Sequence, residues 1–148
     1  MEMQSYLVFL SELCRALDTL TGLEQRKITA VRAGDLEELD RCMKQEQAAA
    51  LDLRGREQKR TQLCRQLGLE QVPLRELPGH CPPELKQQAA EITQQLTRSY
   101  QVLSSARTAA RTLMESNLRH IERELERREN TPHQQSPSHQ GTQTDLRV

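Results

Sequence analysis

From Leu85 to Leu113 one spacing rule holds without a break. Leu85, Ala89, Ile92, Leu96, Ser99, Leu103, Ala106, Ala110 and Leu113 follow one another at alternating steps of four and three. That rhythm keeps a single line on one face of an α-helix. The small Ser99, Ala106 and Ala110 suit a closely approaching partner helix. A long helix over about 83–129 is therefore predicted. Pro83 fits its first position, where the missing N–H would be an orphan in any case. After Leu113 the apolar line steps over to Met114, Leu118, Ile121 and Leu125, like a stutter in a coiled coil.

Two further helices precede it. Over about 3–32, Met3, Tyr6, Leu10, Leu13, Leu17, Leu20, Ile28 and Val31 form a seam that Leu7, Cys14 and Leu23 widen, so this helix should touch more than one neighbour. Gly22 inside it reads as a tolerated surface glycine. "AGDLEEL" then ends one helix and starts the next. Gly34 suits the left-handed closing position, Asp35 the N-cap, and Glu38 the third place of a capping box. So short a connection makes the two helices an antiparallel hairpin. The second helix, about 36–67, has a poorer seam of Leu36, Leu39, Met43, Ala50, Leu53, Cys64 and Leu67, with Gly68 as its stop. The Pro-rich stretch 69–82 is a loop whose Leu69, Val72, Leu74 and Leu77 can fold back over the bundle end.

The predicted architecture is all-α: an antiparallel three-helix bundle or coiled coil over residues 1–130 with a long third helix. A disordered tail, 131–148, is poor in apolar residues and bears Pro, Ser, Gln and His. Only 2% of the chain is aromatic, which suits narrow helical seams better than a thick globular core. Length completes the picture. At 1.5 Å per residue the first two helices reach roughly 45–50 Å and the third roughly 70 Å. If the third starts beside the end of the second, overlap runs out near Met114 to Asn117. The last three turns then present an apolar stripe with no intramolecular partner.

Several functions are disfavoured. Acids and bases balance at 21 each, so no basic surplus supports nucleic-acid binding. The longest apolar run, Tyr6 to Leu10, is too short for membrane insertion and lacks the flanks of a secretory signal, which points to a cytoplasmic chain. Cys14, Cys42, Cys64 and Cys81 are scattered and read as reduced thiols. His80 and Cys81 are adjacent on one loop and fall short of the four convergent ligands that zinc needs, so neither metal nor other cofactor is expected. No phosphate loop, H-E-x-x-H or G-x-S-x-G pattern is present, and no catalytic residues are assigned. His120 reads as a surface residue, and the charges of Glu122 to Arg128 as a solvated face.

The ordered part of the chain, most of Tyr6 to Arg128, resembles the FlgN family of flagellar type III export chaperones. The features that carry the resemblance are "AGDLEELDRCMKQEQ" at the helix turn, "REQKRTQLCRQLGL" closing the second helix, the Pro-broken loop, and "LMESNLRHIERELE" in the third helix. Arg60, Leu63, Leu67 and Gly68 match the family's rhythm at the end of the second helix, and Asn117 its asparagine before the final stripe. The resemblance implies a cytosolic chaperone with no enzymatic activity. Its partners would be hook–filament junction proteins of the FlgK and FlgL type and components of the flagellar export gate. It would cover a subunit's amphipathic C-terminal segment, prevent premature assembly and deliver the subunit for export.

The residues themselves supply a means. A helix with an uncovered stripe can take a second helix in its groove. The candidate contacts are Met114, Leu118, Ile121 and Leu125, with Asn117 and Arg123 setting register. Two alternatives remain at this stage: a structural coiled-coil protein that forms a homodimer through the third helix, and a FliT-type chaperone for the filament cap protein.

Overall fold

A computed structural model describes residues 2–130, with the backbone alone described for Ile121, Glu124, Leu125, Arg128 and Glu129. The described residues are helical, without strands: α1 (Met3–Ala33), α2 (Leu36–Gln66) and α3 (Lys86–Glu129), joined by a tight turn and by two short 3-10 segments. Residues 1–111 form one compact unit, and a second begins at Thr112, inside α3. The predicted tail, 131–148, lies outside the described residues.

Both helix ends in the hairpin are closed by the same device. Gly34, at φ 69°, directs its N–H to the Val31 carbonyl, and Asp35 directs its own to Ala30. Gly68, at φ 70°, repeats the pattern toward Arg65, and Leu69 toward Cys64. This is the paired bonding of a Schellman motif, and its left-handed residue favours glycine. Asp35 then caps α2 by accepting from the Glu38 N–H at 3.1 Å. The reciprocal half of the capping box does not form. Asp35 has already given its N–H to Ala30, and the Glu38 carboxylate turns instead to Arg26 and Arg41.

Direction follows from the cross-helix contacts. The Tyr6 hydroxyl and Cys64 Sγ lie 3.0 Å apart at one end of the hairpin, and Lys27 meets Glu46 at the other. Hence α1 and α2 are antiparallel. The Tyr100 hydroxyl donates to Glu57 at 3.2 Å, and Arg107 further along acts on the charge of Glu46, so α3 is antiparallel to α2. Ser99 donates to Asp18 at 2.9 Å and ties α3 to α1. Within residues 1–111 the chain thus forms the expected three-helix bundle.

The core is a leucine ladder. Leu7, Leu10, Leu13, Leu17 and Leu20 of α1 and Leu96 of α3 are fully buried. Leu7 and Cys14 widen the α1 face enough to serve both neighbours, as their spacing predicts. On α3 every position of the Leu85–Leu113 line is buried or half-buried. Leu69, Leu77 and Cys81 are buried in the same cluster, with Val72, Leu74 and Leu85 packed against it.

Three expectations need correction. The α2 seam runs through Cys42, Ala49, Leu53 and Leu63, with Glu46, Arg56 and Arg60 half-buried on it, whereas Leu36 is 74% exposed and Met43 is exposed. The Arg56 head pairs with Asp52 at 2.8 Å and the Arg60 head lies against Tyr6, so the register can follow long charged residues that a hydrophobicity reading rejects. On α1 the line between Leu20 and Ile28 is filled by Glu24 and Lys27, both buried. The loop 69–82 winds Leu74–His80 into a 3-10 helix around Pro78. Pro83 opens a second 3-10 turn, in which the Leu85 N–H reaches Pro82, and α3 proper begins at Lys86. Such tighter turns are frequent at helix starts.

Candidate binding face

The sequence places its candidate contacts on the distal part of α3, and that part is helical through Glu129. A helix turns about 100° per residue, which brings positions 114, 118, 121 and 125 within an arc of roughly 60°. None of the described residues from Thr112 to Asn130 is buried. Met114 and Asn117 are half-buried, and Leu118 is 57% exposed, a large apolar side chain facing solvent. The side chains of Ile121 and Leu125 lie outside the described residues. Arg123 is exposed. Five residues beyond Leu118, it falls about 140° around the helix, so its head reaches the stripe less directly than Asn117 does.

Exposed Glu115 and Glu122 flank the stripe seven residues apart. By spacing alone Glu122 belongs to the solvated face of Glu122 to Arg128. The signal that finds the pair is the heptad interval, which returns a residue to nearly the same side of a helix.

Polar clusters elsewhere are tied to their own neighbours. An open cleft of about 610 Å³ is lined by Arg60, Cys64, Leu69, Val72 and Tyr100, among others. Beside it, burial and the hydrogen bond with Cys64 push the Tyr6 hydroxyl up to about 12, so it stays neutral. At the far end of the hairpin, Lys27 bridges Glu24 at 3.1 Å and Glu46 at 2.5 Å. Burial, then a hydrogen bond with Glu46, raises the Glu24 pKa. Burial also works against the Glu46 charge, but Lys27 and Glu24 outweigh it and leave its pKa lowered. Nearer the start of α2, Glu38 is held down to about 2 by Arg26, with Cys42 and Arg41 adding to it. Cys14, Cys42 and Cys81 are buried and Cys64 is half-buried, all as free thiols. His80 is exposed while Cys81 is buried and donates to the Leu77 carbonyl, so the two adjacent side chains diverge. Among the described residues no three His, Cys, Asp or Glu side chains group to hold a metal ion, and no helix is long and apolar enough to cross a membrane.

The described residues form a helical bundle in which Leu118 stands exposed on the distal part of α3. A family model described as FlgN protein matches residues 1–127. The chain belongs to the FlgN family, and membership makes it a flagellar export chaperone, a binding protein of flagellum biogenesis and type III export. Comparison with curated proteins and with solved structures finds no match.

Proposed function

We propose that this chaperone works in the cytoplasm on hook–filament junction proteins of the FlgK and FlgL type. It seats the amphipathic C-terminal segment of an unassembled subunit on the stripe of Met114, Leu118, Ile121 and Leu125, with Asn117 at its edge and Arg123 behind. Covering that segment prevents premature assembly, and release at the export gate delivers the subunit.

The observation that carries this reading is the exposure of Leu118 on a helical segment with no buried side chain among its described residues. Isolated exposed leucines are ordinary, but here the exposed leucine lies on a line of four apolar positions. Burying one leucine fully is worth about 1.5–3 kcal/mol, so sealing the exposed half of Leu118 adds about 1 kcal/mol. That is roughly a fivefold gain in affinity. A few such contacts give a grip that still releases, because an ordering segment loses part of its binding energy to conformational entropy.

Site-specific crosslinking tests the assignment. A photoactivatable residue at position 118, in the presence of junction subunits, should give an adduct mapping to the subunit's C-terminal segment. The same probe at exposed Leu51 should give none. Adducts at 51 and not at 118 would move the site to α2.

A further inference from the structure

We infer that the helix this stripe accepts carries lysine or arginine beside its own apolar seam, and that the same acids oppose pairing of two copies of this chain. The inference rests on the stripe being the binding face, and it adds the chemistry of the occupant.

In heptad register the stripe residues take the two core positions, and Glu115 and Glu122 take the position beside the core on one side. Both are exposed, and neither is ion-paired among the described residues. Exposed Arg111 precedes the stripe on this flank, but along the stripe itself exposed Arg119 lies further round the helix and Arg123 further still, so between positions 114 and 125 the nearest described charges on this side are Glu115 and Glu122. A partner helix laid along the stripe brings its own flanking residues to these glutamates. Basic residues there are attracted and acidic ones repelled, which sets partner choice in helix pairs.

Self-pairing makes the contrast. The steps of four, three and four read the same in both directions, so an antiparallel copy would set position 114 against 125 and 118 against 121. Apolar matching alone would favour such a dimer. The same register sets Glu115 of one copy against Glu122 of the other, and two-fold symmetry repeats the clash. Parallel pairing sets Glu122 against Asn117, with no ion pair gained. Like charges at the flank are the usual device against an unwanted pairing that the core would permit.

The test uses the full chain and two designed amphipathic helical peptides with one leucine seam, one flanked by lysine and the other by glutamate. The lysine peptide should bind more tightly, by about tenfold at low salt from several contacts of a few tenths of a kcal/mol. Added salt should shrink the preference, and Glu115→Lys/Glu122→Lys should reverse it. In sedimentation the wild type should stay monomeric, while Glu115→Lys alone, which sets opposite charges face to face, should self-associate more. Equal binding of both peptides, an unreversed preference or a tight wild-type dimer would overturn the inference. Leu118→Ser separates the two levels. If it weakens both peptides alike while charge has no effect, the stripe stands and only the charge selection fails. If it weakens neither, or if neither peptide binds the wild type, both fail.

Discussion

Lys27 shows how much a single buried cation can hold. Its side chain is 10% exposed, between Glu24 at 3% and Glu46 at 28%. Removing it leaves two carboxylates facing each other with little water. Lys27→Met should cost about 3 kcal/mol in urea denaturation, and adding Glu24→Leu should restore most of the loss, because an apolar replacement of a buried ion pair is often neutral. Full additivity of the two losses would contradict this coupling. Neither residue stands out in the sequence: a Glu and a Lys three apart usually mark a solvated face, and only α2 packing across them reveals the burial.

Acid sensitivity has a separate source. The pKa of Glu38 is lowered to about 2, chiefly by Arg26. A depressed carboxylate stabilises the fold fully above its unfolded value and loses that contribution as pH falls through the folded one. Glu24 has the opposite sign, its raised pKa favouring the fold at low pH, and it offsets the lowered Glu46 beside it. Glu38→Gln should therefore flatten the loss of stability between about pH 5 and about pH 2 relative to wild type. An unchanged slope would remove Glu38 as the acid sensor of this hairpin.

The helices differ in how plainly their sequence states their packing. α3 over Leu85–Leu113 is fully legible, since its steps never offer a second register. α2 is only partly so: Leu39, Ala50, Leu53, Cys64 and Leu67 of its expected seam are buried or half-buried, but Leu36 and Met43 are exposed, and the packed line also takes in Glu46, Arg56 and Arg60. A paired variant test follows. Leu96→Ala, at a fully buried position, should cost about 2–5 kcal/mol, whereas Leu51→Ala, at a 69% exposed one, should cost less than about 0.5 kcal/mol. Comparable losses at the two positions in thermal denaturation would show that α2 packs through the other face.

For the whole molecule, the bundle and its turns were readable because local signals agreed: Gly34, Asp35, Gly68 and the α3 line each point to one arrangement. The candidate site was readable only in outline. Its stripe follows from spacing at Met114, Leu118, Ile121 and Leu125, but the flanking glutamates gain meaning only once a partner is considered.

The direct test is the affinity of purified junction subunit for wild type and for Leu118→Ser, each measured beside its own unfolding curve. A loss of about tenfold with an unchanged unfolding midpoint is the predicted result, since the change removes an apolar contact and places a hydroxyl in the seam. Undiminished affinity with an intact fold would contradict client binding on this face of α3.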